Sequence, residues 1–262
     1  MPRSSEAGSP SAALSSKPAI IVHDVVKEFR IKHARTLKEA FVSLFKKQDR
    51  RREFRALDGI SFEVAEGESI AVLGSNGSGK STTLKLISGV LQPDEGWVRT
   101  RGRVAGLLEV GAGFHPDLTG RDNIYLNAAI LGMSKEETDA RFDAIVEFSG
   151  ISESFLDTEV KRYSSGMRSR LGFAVAVHTE VDVLLVDEVL SVGDAAFRAK
   201  CNDKILELRD QGKTMFVVSH NLGTVKKLCT RGIVLKGGKV VFDGDIGEAA
   251  DIVAPPKPKP KK

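Results

Sequence analysis

Apolar residues along this chain follow two rhythms. Ile20-Ile21-Val22 and Val25-Val26 open a strand, and Ile60-Ser61-Phe62-Glu63-Val64 alternates apolar and polar as a second strand. Glu66-Gly67-Glu68 then turns the chain into a third, over 69–73. Further on, Val183 to Val186 and Met215 to Val218 are short unbroken apolar runs, partly β-branched, which suit parallel strands covered on both faces. A helical period predicts helices over 82–87, 136–148, 168–178 and 201–209, the last ended by Gly212. Strands alternating with helices indicate an α/β sheet. Ile233 to Leu235, Gly237-Gly238 and Val240 to Phe242 predict a closing hairpin. Between the first two strands, 36–47 reads as an amphipathic helix with Leu37, Phe41, Leu44 and Phe45 on one face and a capping box at Thr36 and Glu39. No internal repeat is present.

Composition changes this picture little. Of 262 residues, 41% are hydrophobic and 28% charged, which is globular and excludes a disordered chain. No apolar run approaches the roughly 18 to 20 residues that cross a bilayer. Residues 1–18 are mostly Ser, Ala, Gly and Pro with no apolar export segment, so a flexible lead in a reducing cytosol is expected. Cys201 and Cys229 lie far apart and suggest neither zinc nor a disulfide. Net charge is +4, but its location matters more than its size. The Pro-Lys tail over 254–262 carries four lysines and no acid, and the run from Lys46 to Arg55 carries six basic residues against two acids. Removing both leaves a body of 4 − 4 − 4 = −4. Two basic patches on a mildly acidic body favour an anionic lipid or partner surface over nucleic acid.

The chemistry is concentrated in three motifs. Gly74-Ser75-Asn76-Gly77-Ser78-Gly79-Lys80-Ser81 follows one predicted strand and, with Thr82, opens a predicted helix. Its glycines let backbone N–H groups converge on phosphates, and the helix start adds partial positive charge. Lys80 is suited to reach the β and γ oxygens of ATP, and the Ser81 hydroxyl to coordinate Mg²⁺. The strand over 183–186 ends in Asp187 and Glu188. Asp187 is placed to orient the Mg²⁺ shell, and Glu188 to polarise the attacking water as general base. His220 ends the next strand and so lies on the same sheet edge, a position suited to the γ-phosphate. His23, His33, His115 and His178 have no such placement. The third motif, Tyr163-Ser164-Ser165-Gly166-Met167, opens a helix with small residues and makes a second anion site. One nucleotide does not need two such helices from one short chain, so this site is read as serving a nucleotide held by a second copy.

The order of these motifs resembles the ATP-binding cassette ATPases, over roughly residues 19 to 250. The resemblance implies a P-loop NTPase (RecA-like) fold with a mostly parallel sheet, an antiparallel β-subdomain and a helical signature-motif subdomain. It further implies a cassette over 19–253, with the helical part at about 112–180 and an insertion at about 34–55. In that family two cassettes pair head to tail around two ATPs. Carried over, Ser164, Ser165 and Gly166 match the signature, Ser191 to Asp194 the loop that crosses the seam, His220 the switch histidine and Phe29 the adenine-stacking aromatic. Four positions depart from the common pattern. Glu109 stands where a glutamine usually contacts Mg²⁺ and the membrane partner, Ser165 replaces a glycine, Met167 a glutamine and Phe29 a tyrosine. Phe54 is the alternative for the adenine role.

The stretch from Gly111 to Ile124, the Tyr-Ser-Ser-Gly-Met signature and Asp187 to Asp194 are similar to ATPase subunits of cell-surface polysaccharide exporters. These move O-antigen, teichoic acid or galactan carried on a polyprenyl lipid. The implied partners are a second copy, an integral-membrane permease in two copies, and the lipid-linked sugar near helix 36–47; the implied location is the cytoplasmic face of the plasma membrane. Some members carry a C-terminal carbohydrate-binding domain, and none is expected here. The rivals are a cassette for another cargo, a non-catalytic nucleotide binder, and a soluble cassette acting on ribosomes or DNA. That last class usually has two cassettes or a long coiled-coil insert, and this chain has neither.

Overall fold

The computed structural model describes residues 17–31, 52–107, 111, 113–187 and 193–254. The expected helix over 36–47, most of the 34–55 insertion, nearly all of the N-terminal lead and Pro-Lys tail, and Glu109, Glu188 and Ser191 lie outside the described residues.

Two sheets share the core. Strands β1 (Pro18–Ile31), β2 (Arg52–Ala65) and β4 (Glu95–Thr100) form an antiparallel sheet in the order β2-β1-β4. The second sheet runs β5 (Val104–Gly106), β6 (Val183–Val186), β7 (Thr214–Val218), β3 (Ser69–Leu73), β8 (Arg231–Lys236), β9 (Lys239–Asp245). Its first five strands are mutually parallel, and β9 pairs antiparallel with β8 as the predicted hairpin. The helices are α1 (Lys80–Ile87), α2 (Gly120–Ile130), α3 (Lys135–Ser149), α4 (Glu153–Leu156), α5 (Ser165–His178), α6 (Ala195–Asp210), α7 (Leu222–Leu228) and α8 (Ile246–Val253).

The central strands β3, β6 and β7 are buried at every position. Their side chains alternate between two cores because successive residues of a strand point to opposite faces. Ala71, Leu73, Leu184, Val186, Met215 and Val217 face a cluster shared with α2, α3, α5 and α6. Ile70, Val72, Val183, Leu185, Phe216 and Val218 face a cluster shared with α1 and the antiparallel sheet. A strand covered on both sides loses its polar alternation, which is why these stretches read as continuous apolar runs.

Local chemistry sets the helix ends. α2 and α3 begin with complete capping boxes, Thr119 with Asp122 and Ser134 with Glu137. Each satisfies two otherwise orphaned N–H groups. α3 stops at Gly150, whose left-handed φ of 64° costs a glycine nothing. α6 begins six residues earlier than its apolar period suggests, because Asp194 caps it by accepting from Phe197 N at 2.9 Å. β2 begins well before Ile60: Phe54, Arg55 and Leu57 pair with β1 although Arg55 and Asp58 interrupt the apolar pattern. β4 escapes the sequence reading for a similar reason, since its residues are exposed or half-buried throughout. Among the described residues no helix is long and apolar enough to cross a membrane.

Candidate functional site

β3 ends in the Gly74 to Gly79 loop, which feeds directly into α1. The path of this loop requires its glycines. At Gly74, φ is 147° and an added Cβ would sit 2.2 Å from Leu235 O and 2.6 Å from Ser78 Oγ. Gly79 is left-handed at φ 110° and packs against Leu57 and Ala56 O. A real side chain at either position forces the loop to move. Gly79 also caps α1 without any side-chain bond, so the helix start keeps its donors for a ligand.

Loop, strand ends and antiparallel sheet enclose a cavity of about 400 Å³. Asn76, Gly77, Ser78, Gly79, Lys80, Ser81 and Thr82 line one side, Asp187 and His220 another, and Phe29, Phe54, Ala56 and Val218 the rest. Asp187 follows β6 and His220 follows β7, so the parallel register of those strands brings both to the edge where Lys80 begins α1. Phe29 and Phe54 are register partners on β1 and β2. Directly opposed residues share a sheet face, so the two aromatics that sequence reasoning held as alternatives stand side by side in the cavity wall.

The electrostatics are those of an anion and cation site. Lys80 is 6% exposed, and its Nζ donates to Gly74 O at 2.8 Å and Ser75 O at 3.0 Å. Burial lowers its pKa from the ordinary lysine value, and Asp187 pulls the other way. Burial raises the Asp187 carboxyl, opposed by Lys80, then His220 and Lys85. Desolvation thus opposes the charge on each group while their mutual attraction favours it, a combination that marks a functional-site candidate. Ser78 Oγ is buried with no hydrogen-bond partner among the described residues. An orphaned hydroxyl in a glycine cradle, beside a buried ammonium and a helix start, fits a polyphosphate. Ser81 and Asp187 supply the oxygen donors that Mg²⁺ prefers.

The helix start that the sequence marks as a second anion site lies outside this cavity. Ser164 is the N-cap of α5, its Oγ accepting from Met167 N at 3.1 Å. Ser164 and Ser165 are exposed, and a Cβ on Gly166 would meet only Ser164 Oγ, at 3.8 Å. None of the three lines the cavity. Asp194 is likewise outside it, exposed at the start of α6. Glu109 and Glu188 are not among the described residues.

Sequence reasoning predicted the β8–β9 turn but missed that it backs the phosphate loop. Gly238 N donates to Ser78 O at 3.2 Å, and Gly238 O accepts from Asp58 N at 2.9 Å. A Cβ at Gly238 would lie 2.8 Å from Ala56 O. The adjacent glycines 237 and 238 were a visible sign of close backbone approach, though not of what they approach.

Comparison with known proteins agrees with this geometry. A family described as ABC transporter matches residues 57–191, about half of the chain. The chain is 46% identical to an O-antigen export system ATP-binding protein of Klebsiella pneumoniae over 202 residues, covering 77% of this chain and 80% of that protein. It is 47% identical to a teichoic acids export ATP-binding protein of Bacillus anthracis over 196 residues, 75% of this chain and 35% of that one. Among solved structures it resembles an ATP-binding cassette captured as a dimer in a post-hydrolysis state with ADP and Pi. That match has a TM-score of 0.67 at 22% identity and covers 87% of this chain and 98% of the other, a likeness of fold. With a phosphate cradle closed by Gly74 and Gly79, a buried Lys80 facing Asp187, and these relatives, the chain belongs to the ABC transporter family as one of its ATP-hydrolysing subunits.

Proposed function

We propose that this chain powers export of a lipid-linked cell-surface polysaccharide through a separate membrane permease, from the cytoplasmic face of the membrane, as a head-to-tail pair of copies. The observation that carries the pairing is the division of the site. The cavity gathers Lys80, Ser81, Asp187 and His220, while Ser164 to Gly166 form an exposed helix start outside it. A Cβ on Gly166 would make only an ordinary contact with Ser164 Oγ, so no crowding among the described residues explains a glycine there. A nucleotide held between copies would. The names of the relatives support the cargo class: two kinds of exported envelope polymer, O-antigen and teichoic acid, appear at 46% and 47% identity.

In this reading the loop N–H groups and Lys80 hold the phosphates, and Phe29 and Phe54 cover the base. Ser81 and Asp187 would hold Mg²⁺, which would supply charge neutralisation to the phosphates. His220 contacts the γ-phosphate from the end of β7. Glu188, next to Asp187 in sequence, accepts the proton of the attacking water. Ser164 to Gly166 of the other copy close over the same phosphates, and this closure pulls on the permease; hydrolysis lets the pair reopen. The amphipathic stretch 36–47, with its neighbouring basic run, is suited to the membrane face where the lipid pyrophosphate arrives.

Glu188→Gln tests the core of this proposal. Hydrolysis should fall about 10² to 10⁴-fold if a general base is lost, and Mg·ATP should convert the variant to a stable dimer in analytical ultracentrifugation. Undiminished turnover would remove Glu188 from the mechanism, and a monomer at saturating Mg·ATP would remove the pairing. Co-purification of the wild-type chain with a membrane permease, and loss of surface polysaccharide when its gene is deleted, test the cargo.

A further inference from the structure

The segment that leads into Ser164 is held by a side chain far from it in sequence. Asn123, on the first turn of α2, is fully buried. Its Oδ1 accepts from His115 N at 2.7 Å, and its Nδ2 lies within hydrogen-bond distance of His115 O (3.0 Å), Leu118 O (3.2 Å) and Thr119 O (2.9 Å). One amide thus fixes both ends of the 115–119 loop. Only an amide presents an acceptor and donors from one planar group.

That loop is the template for the chain approaching the signature helix. Lys161 N donates to Pro116 O at 2.8 Å, Val160 N to Leu118 O at 2.9 Å and Gly120 N to Thr158 O at 3.1 Å. Thr119 and Glu159 form an antiparallel bridge. Leu118 O is the joint, because it accepts from both Asn123 Nδ2 and Val160 N. From there the path to the signature is short. Tyr163 N donates to Val160 O at 3.0 Å, the Tyr163 hydroxyl donates to Phe155 O at 2.6 Å, and Ser164 follows as the cap of α5. The ring also closes the fit from below: a Cβ on Gly120 would lie 2.0 Å from the Tyr163 hydroxyl.

We propose that Asn123 is a positioning residue for the signature serine, acting through the 115–119 loop and Tyr163 to hold Ser164 where a second copy's nucleotide meets it. This rests on the pairing proposed above. Asn123 is outside the nucleotide cavity of its own chain, so its removal separates the two halves of the site: binding of ATP by a single chain stays, and closure of the pair weakens.

The test places Asn123→Ala and, separately, Tyr163→Phe in the Glu188→Gln background. Tyr163→Phe deletes one hydroxyl and keeps the ring, so it gives an answer even where the buried Asn123→Ala disturbs folding. ATP affinity of the single chain is read by fluorescent-nucleotide titration at dilutions below dimer formation, and the dimer dissociation constant by ultracentrifugation with Mg·ATP. Each substitution should weaken the dimer about tenfold, the equivalent of one buried hydrogen bond, with single-chain affinity changed less than about twofold. A dimer as tight as that of Glu188→Gln alone overturns the proposal, and so does a parallel loss of single-chain affinity, which marks general damage. If Glu188→Gln itself remains monomeric, the pairing fails first and takes this inference with it.

Discussion

The phosphate loop and the signature helix start are both helix N-termini built from small residues, yet the chain treats them differently. Around Gly74 and Gly79 the protein is tight: carbonyls and side chains crowd within 2.2 to 2.9 Å of where a Cβ would go. Around Gly166 the nearest atom is 3.8 Å away. In the loop, glycine is demanded by the chain's own packing. At the signature no contact among the described residues demands it. The first site is walled by residues of one chain, and the pairing proposed above would give the second its counterpart. Identical residue types can therefore carry opposite lessons, and only surrounding geometry tells them apart.

Three substitutions sharpen the contrast. The largest effect is expected from Lys80→Ala. It removes a buried ammonium aimed into the phosphate cradle and should weaken ATP binding by a single chain about 10²-fold, as loss of charge-assisted bonds does. Isothermal titration measures it directly, and near-normal affinity would show that the loop backbone suffices. Gly166→Leu should do the reverse. Thermal unfolding and single-chain affinity should stay as they are, because the side chain enters open space, while steady-state turnover drops at least about tenfold as its bulk meets the second copy. Normal turnover would mean that no partner surface comes near.

The smallest effect concerns stability. Because burial raises the pKa of Asp187, the folded protein holds that proton more tightly than the unfolded chain. Its ionisation on the way to neutral pH therefore costs stability, and the cost grows as pH rises from the ordinary carboxylate range through the raised value. Asp187→Asn should melt a few degrees higher than wild type at neutral pH, with the gap closing in acid. Addition of Mg·ATP should stabilise the variant less than wild type. A lower melting temperature at neutral pH would show that the attraction to Lys80 outweighs desolvation.

How much of this was legible in the sequence depends on distance along the chain. The P-loop is contiguous, so Gly74 to Ser81 announce their chemistry wherever they occur. The buried strands β3, β6 and β7 were equally plain, since double-sided burial writes an unbroken apolar run. Asp187 and His220 could be assigned to one edge because parallel sheets put strand ends together. What stayed hidden depended on partners remote in sequence. Asn123 looks like any helix-start asparagine until His115 and Leu118 fold over it. Phe54 was a rival to Phe29 until the register of β1 and β2 made them neighbours. β4 has too little buried surface to leave a pattern. The cap on α6 was hidden because Asp194 sits among residues with no apolar period of their own.

The hairpin turn at Gly237-Gly238 has a further consequence. Its backbone bond to Ser78 joins residues 238 − 78 = 160 positions apart, so the backing of the nucleotide cradle needs the C-terminal strands synthesised and docked. Contacts this remote form late and slowly. A ribosome-bound or prematurely ended chain that stops before β8 would carry the whole Gly74 to Ser81 motif and still lack the backing that sets its shape. Such a chain is expected to bind ATP more weakly than one that carries the β8–β9 turn.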